Sequence, residues 1–371
     1  MIYLDNAATT KPLKQVIDFM NKMSEEFYYN PSALYNRAYA AKNEIELARK
    51  TLETALGGGG RVYFTSSATE SNTWVFSCGT KNKKGNAVVS LGEHASVYEN
   101  AQALLSRGMD VRYVKLNRDG TVDYDDFCKA VDSNTAFVSV IHCSNETGAI
   151  NDVKQLSAFV RSVSPDAVIH SDGVQAFGKI SVKCSDLGVD LYSVSAHKIC
   201  GPRGVGGLWV KDKFRLPPLI RGGGQEYGSR SGTENTAGII GFSKAYEIFS
   251  KADKSEISEM RDYLKSRLEK LSGVTVNQAQ NQSPYILSVS VEGIKSEILQ
   301  RKLAEKDILI GLGSACAAKL KSNRVLSAMG KTPNQIEGSI RISFGINNEM
   351  SDMPLVADEL EKCINEIRHI K

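Results

Sequence analysis

Asp190-Leu-Tyr-Ser-Val194 reads as a buried β-strand. It runs straight into Ser195-Ala-His-Lys-Ile-Cys-Gly-Pro-Arg-Gly204, and a second apolar run, Val205-Gly-Gly-Leu-Trp-Val210, follows. A lysine directly after a buried strand, inside a glycine-rich turn, is unusual, because a lone lysine is ordinarily a solvated charge. Upstream, the same kind of short apolar run recurs at Val62–Phe64, Asn86–Leu91, Thr135–Ile141 and Ala167–His170, with helical stretches such as Asn36–Leu56 and Val153–Val163 between them. Alternating strands and helices predict a mainly parallel sheet covered by helices on both faces. Ligands of such sheets sit beyond the carboxyl ends of the strands. Lys198 is therefore placed where a ligand binds, and desolvation there would lower its pKa and free the amine to form a Schiff base. That chemistry points to pyridoxal phosphate.

The pattern changes after about Phe249. A polar amphipathic stretch, Lys251–Leu271, leads to strand-like Tyr285–Val291, a helix near Ser296–Glu305, strand-like Ser339–Phe344 and a closing helix near Ser351–Ile370. The expectation is a large domain over residues 15–249 and a smaller α+β domain over 250–371, with residues 1–14 packing near the latter. Gly57–Gly60 is too short for a linker and reads as a helix end turning into the strand at Val62.

Composition narrows the function. The 371 residues are 42% hydrophobic and 24% charged, as in an ordinary globular protein. Lys+Arg less Asp+Glu is 46 − 42 = +4, too weak a charge to argue for nucleic acid. No apolar run approaches the ~20 residues needed to cross a bilayer. The start, Met1-Ile-Tyr-Leu-Asp5, lacks signal-peptide character, so a cytoplasmic location is expected. Seven scattered cysteines without a C-x-x-C pair argue against a zinc site or a disulfide framework.

Four further segments carry chemistry. In Phe64-Thr-Ser-Ser-Ala-Thr-Glu-Ser-Asn72, Ser67-Ala-Thr-Glu70 fits a capping box, and free N–H groups at a helix start suit phosphate; an ordinary cap reads the same way. His170-Ser-Asp-Gly-Val-Gln175, at a strand end, offers a carboxylate for a protonated pyridine nitrogen, or simply an Asp capping a turn. In Gly311-Leu-Gly-Ser-Ala-Cys-Ala-Ala-Lys319, small neighbours around Cys316 favour a reactive thiol over an inert one. In Ile340-Arg-Ile-Ser-Phe344, Arg341 interrupts an apolar strand and needs an anion, either a substrate carboxylate or a structural partner.

Taken together, these residues resemble the cysteine desulfurases, fold-type-I, class-V pyridoxal-phosphate enzymes related to NifS and IscS. The resemblance runs nearly end to end. It is carried by Leu4-Asp-Asn-Ala-Ala-Thr-Thr10, the Phe64–Asn72 segment, Glu93-His94, Asn145-Glu-Thr-Gly148 and Ser171-Asp-Gly-Val-Gln-Ala-Phe-Gly-Lys179. Ser195-Ala-His-Lys198, Gly222-Gly-Gly-Gln-Glu226, Arg230-Ser-Gly-Thr-Glu-Asn235, Gly313-Ser-Ala-Cys316 and Arg341-Ile-Ser-Phe-Gly345 complete it.

The resemblance implies a large domain with a mainly parallel seven-stranded sheet, a smaller α+β domain and a homodimer. It assigns Lys198 as the lysine that carries the cofactor and His94 as the residue stacked on the ring and serving as acid/base. Asp172 pairs with the ring nitrogen, Gln175 contacts the ring hydroxyl, and Asn145 lies near cofactor and substrate. Ala68, Thr69, Ser195 and His197 hold the phosphate, with Thr233 reaching in from the other subunit. Arg341 and Asn145 bind the substrate carboxylate, and Cys316 receives sulfur from L-cysteine as a persulfide, leaving alanine. A sulfur-acceptor protein, such as an iron–sulfur scaffold, is the expected partner.

The sequence departs from the family's usual residues at Ser67, at Ser144 and in Asn30–Ala38, and it ends soon after its last helix, without the extended tail that docks a scaffold in some members. Two other readings remain. A selenocysteine lyase or another class-V enzyme shares the fold, although an aminotransferase needs no acceptor thiol. A non-catalytic sulfur-handling protein would be expected to have lost at least one of Lys198, His94, Asp172, Cys316 and Arg341.

Overall fold

Twelve strands fall into two sheets in the computed structural model, which describes residues 1–80, 84–313 and 323–369. They are β1 (Ile2–Leu4), β2 (Gly60–Thr65), β3 (Asn86–Ser90), β4 (Asp110–Val114), β5 (Thr135–Ser139), β6 (Val168–Asp172), β7 (Leu191–Ser195) and β8 (Gly206–Lys211), then β9 (Val274–Val276), β10 (Ile286–Val291), β11 (Ile308–Leu312) and β12 (Ser339–Ser343). The larger sheet has the order β2-β8-β7-β6-β5-β3-β4. Neighbours from β7 through β6, β5 and β3 to β4 run parallel, and β8 runs antiparallel to both β7 and β2. The carboxyl ends of β2, β3, β5, β6 and β7 therefore share one edge with the start of β8.

Both faces of this sheet are apolar, as helices on both sides require. Alternate residues point opposite ways along a strand. Val88, Val138, Ile169, Tyr192 and Trp209 join one core cluster. Their neighbours Ala87, Val89, Phe137, Val168, Leu191, Leu208 and Val210 join another, with Trp74 and Phe76. The expected strands and the helices Asn36–Ala55 and Val153–Val163 are all present. The helix ending at Ala55 leads into Gly57, Gly58 and Gly59, all at positive φ, and then into β2.

The smaller sheet has the order β1-β11-β12-β10-β9. β1 pairs in parallel with β11, and the remaining pairs are antiparallel. The stretch read as one amphipathic unit, Lys251–Leu271, contains the helix Ser255–Leu268, which follows a separate helix, Thr236–Lys251. The sequence reading missed β1, β4, β9 and β11. β1, β4 and β9 are short edge strands with partly exposed patterns, which blunts the alternation signal. In β11, Gly311 breaks the apolar run.

Candidate active site

The N-terminal segment ties the two sheets together at the site. Asp5 bridges to Ser343 of β12, and Asn6 Nδ2 donates to the Ser343 carbonyl at 2.9 Å. Four residues on, Thr10 N donates to the His197 carbonyl at 2.9 Å, and Thr10 Oγ1 accepts from Cys200 N at 2.7 Å. These bonds brace a tight turn in which Cys200 has φ +60°, the left-handed region where backbone strain is stored. Lys198 closes the short 3₁₀ turn Ala196–Lys198 that leaves β7. Its Nζ donates to the Ala7 and Ala8 carbonyls, each at 2.6 Å. Burial, and then the charges of Lys179 and Arg341, pull the Lys198 pKa down to about 7 against the pull of Asp5 and Asp172. A substantial share of the amine is thus neutral and nucleophilic near pH 7.

Asp172 ends β6 and is buried. Its Oδ1 accepts from Val174 N at 3.0 Å, and its Oδ2 accepts from Asn72 Nδ2 at 2.9 Å. Asn72 Nδ2 also donates to Ser96 Oγ at 2.8 Å, which leaves the Ser96 hydroxyl proton for His94 Nδ1 at 2.8 Å. Ser96 N donates to the same His94 nitrogen at 3.1 Å. A backbone N–H only donates, so Nδ1 is an acceptor and the neutral ring carries its proton on Nε2. His94 caps the helix Ala95–Ser106 and keeps part of its surface exposed. Burial of its charged form lowers its pKa, with Lys198, Arg324 and Arg341 adding to the effect and Asp172 opposing it. Burial and the Asp172 charge push the neighbouring Glu93 carboxyl well above the usual carboxylate range, against the pull of its bond from Ile141 N and the charge of Arg324.

Arg341 lies on β12, 3% exposed. It donates to Asp5 Oδ1 at 3.0 Å and to the Asn145 carbonyl at 2.8 Å. Its path crosses Gly311, where a Cβ would meet Asp5 Oδ1 at 2.5 Å and Arg341 Nη2 at 3.1 Å. Only glycine leaves room for this ion pair. Arg341 Nε and Asn145 Oδ1 are buried without a hydrogen-bond partner among the described residues. Buried polar atoms of this kind are costly unless something else meets them. Beside them, Glu146 has its pKa pushed up to about 7 by burial, against the pull of Arg341.

The remaining candidates lie around the end of β2. Ser67 Oγ accepts from Glu70 N at 3.2 Å and caps the helix Ala68–Trp74. The expected capping box is only half made, because the Glu70 carboxylate turns instead to Ser66 N at 2.9 Å and Arg230 Nε at 2.7 Å. Ala68 is buried, and Thr69 faces solvent. Gly206, opposite Ser195 and Thr65, brings β8 against the helix start, since a Cβ there would lie 2.5 Å from the Ser67 carbonyl carbon and 2.7 Å from Ala68 N. Ser195 is buried at the end of β7, and His197 Nδ1 pairs with Thr9 Oγ1 at 3.1 Å. Gln175 Nε2 donates to the Ala7 carbonyl at 2.9 Å. Thr233 is exposed. Cys316 and most of its segment lie outside the described residues.

Comparison with known proteins decides between the readings of this cleft. Residues 2–356 match the family model Aminotransferase class-V. The chain belongs to the class-V aminotransferase family. It is 36% identical to the cysteine desulfurase IscS of Dictyoglomus turgidum, over all of this chain and 96% of the relative. It is 33% identical to cysteine desulfurase IscS 1 of Archaeoglobus fulgidus, over 99% and 98%. Its fold superposes on a NifS-like protein with a TM-score of 0.88 at 32% identity, covering 100% of this chain and 98% of the other. It also superposes on SspA in complex with cysteine, with a TM-score of 0.82 at 30% identity, covering 93% and 99%.

Pyridoxal phosphate is the cofactor of this family and of this chain. The residues present fit it. Lys198 offers an amine with a lowered pKa to an aldehyde, Asp172 offers a buried carboxylate to a ring nitrogen, and the unpartnered Asn145 Oδ1 and Arg341 Nε await a polar ligand. Asn72, Asp5, Glu93, Glu146 and Lys179 carry no role in the sequence reading, although each lies inside a segment that reading singled out. Their signal was position within a motif, and only the fold shows what they touch.

Proposed function

We propose that the protein is a pyridoxal-phosphate-dependent cysteine desulfurase that converts L-cysteine to L-alanine and passes sulfur through a persulfide on Cys316. The observation that carries this reading is the placing of Lys198, Asp172 and His94 at the carboxyl edge of the larger sheet, with Arg341 of the smaller sheet tied to the same N-terminal segment through Asp5, within a chain that matches cysteine desulfurases over its whole length.

When bound, the cofactor supplies an electron sink that stabilises negative charge at the substrate Cα. Lys198 carries the cofactor and, once freed, moves the Cα proton, a task suited to an amine with a pKa of about 7. Asp172, aligned by Asn72, holds negative charge against the ring nitrogen. His94 Nε2–H faces the cleft and exchanges protons there. Gln175 meets the ring hydroxyl, while Ala68, Thr69, Ser195 and His197 hold the phosphate. Arg341 and Asn145 take the substrate carboxylate, whose two oxygens match the forked guanidinium. The Cys316 thiolate attacks the substrate sulfur. The Cβ–S bond breaks with its electron pair left on carbon, and a proton caps that carbon to give alanine.

Residues 15–249 form the cofactor-binding domain and 250–371 the smaller one, with 1–14 packing near it, a division supported by the two separate sheets. The protein acts as a cytoplasmic homodimer in which Thr233 serves the other subunit's phosphate. Leu34, 89% exposed, with Tyr28, Tyr35 and Tyr39 beside it in sequence, supports an apolar face that a second copy covers. A sulfur-acceptor protein collects the persulfide.

The test combines turnover with mass. Purified protein given L-cysteine should release alanine and carry an added sulfur on Cys316, and native mass spectrometry should find twice the 40.5 kDa chain. Cys316→Ala should keep the yellow cofactor and make no persulfide. Undiminished sulfide release by that variant would refute the role of Cys316, and borohydride fixing the cofactor anywhere but Lys198 would refute the whole reading.

A further inference from the structure

A second lysine, which the reaction does not use directly, stands behind Lys198. Lys179 ends the turn-rich segment that leaves β6. Its Nζ donates to Gln175 Oε1 at 2.8 Å and lies 5.4 Å from the centre of the Tyr285 ring. An ammonium can only donate, so the Gln175 atom facing it must be the carbonyl oxygen, and the amide nitrogen is forced the other way. That nitrogen donates to the Ala7 carbonyl, which also accepts from Lys198 Nζ at 2.6 Å. One carboxamide and one carbonyl thus join the two cations in a chain.

We propose that Lys179 is a positioning residue for Lys198, held by Gln175 at a fixed place where its positive charge keeps the Lys198 amine poised to lose its proton. The proposal rests on the reading of Lys198 as the cofactor lysine. A neighbouring cation is a recognised means of activating a lysine nucleophile.

The charged groups around the pair agree. Asp5 and Asp172 favour the protonated form of Lys198, and Lys179 and Arg341 oppose it. His94 and His197 both have lowered pKa values, that of His197 at about 3, so they add no full charge at neutral pH. Lys179 itself faces the Cys143 and Cys200 thiols and Arg341, and burial brings its pKa to about 8. Of the two buried amines, Lys198 is the one whose pKa is lowered further. Burial is the larger cause of the Lys198 shift, and the Lys179 charge is the next.

The experiment reads the amine without turnover. The full chain, freed of pyridoxal phosphate, is labelled with trace acetic anhydride across a pH series, and mass spectrometry follows the peptide that carries Lys198. In Lys179→Met the pH at which Lys198 becomes reactive should rise by about one unit. Lys179→Arg should hold the wild-type midpoint. Should Lys179→Met fail to fold, Lys179→Gln, which removes the charge and keeps a donor for Gln175, carries the same expectation. An unmoved midpoint in the neutral variants, or an arginine variant that behaves like them, overturns the proposal. Failure of the wild-type enzyme to make alanine would instead strike the desulfurase reading, because the labelling midpoint does not depend on turnover.

Discussion

At the scale of single residues, the chemistry depends on which atoms are left as donors and which as acceptors. Asn72 is the clearest case. Its two amide protons go to Asp172 Oδ2 and Ser96 Oγ, so one side chain aligns the carboxylate proposed to meet the ring nitrogen and, through Ser96, the tautomer of His94. A hydrogen bond to a charged group contributes more than a neutral one, so Asn72→Ala should weaken pyridoxal phosphate binding roughly 10- to 100-fold. Equilibrium dialysis measures this directly. Wild-type affinity in the variant would mean that Asp172 is positioned by its bond from Val174 N alone.

At the scale of elements, the site depends on how closely β8 approaches the helix that follows β2. Gly206 allows that approach, and its missing side chain is the space that the Ser67–Ala68 peptide occupies. Gly206→Ala must push backbone against backbone, with a cost of about 1–3 kcal/mol from overpacking. The displaced helix start should weaken pyridoxal phosphate much more than phosphate-free pyridoxal. Parallel titrations with the two compounds, followed by absorbance, separate a phosphate effect from a general loss of fold, and equal losses would remove this helix start from the phosphate site. A buried ion pair braces the same region. Arg49 meets Glu226 at 2.7 Å, Glu226 Oε2 accepts from Phe64 N at 3.0 Å, and Arg49 donates to the Val62 carbonyl at 2.6 Å. Losing Arg49 would leave the buried Glu226 carboxylate without its cation, against the strand that leads to the site.

For the whole molecule, burial of titratable groups makes stability depend on pH. His142 pairs with Tyr192 Oη at 2.7 Å, and His170 lies between Ser139 and Ser193. Burial lowers both pKa values to about 4, and burial with the Lys198 charge lowers that of His197 to about 3. The unfolded chain takes up these protons near 6.5, so it binds more protons than the native state below that pH. The stabilisation from neutral histidines is present above about 6.5 and is lost as pH falls through about 4. Urea unfolding of the cofactor-free chain should show a loss on the order of 1 kcal/mol per histidine between about pH 7 and about pH 5. The raised carboxyls of Glu93 and Glu146 act in the opposite sense over that interval, so the histidine effect is read as the difference between wild type and His170→Gln, and an unchanged profile in that variant would mean that the His170 imidazole is not buried neutral.

What could be read along the chain was local. Alternation of apolar residues located the central strands of the larger sheet, glycines marked the end of the helix at Ala55, and Lys198 was placed in the turn after a strand, because strand pairing and turn chemistry act over a few residues. Edge strands escaped that reading, since half-exposed segments carry a weak pattern. Tertiary structure alone decided the partners. Asp5 meets Arg341 across 336 positions, the Ala7 and Ala8 carbonyls receive the Lys198 amine, and Lys179 reaches it through Gln175. Charge and desolvation act through space, and the pKa of a buried amine is set by neighbours that only the folded chain brings within a few ångströms.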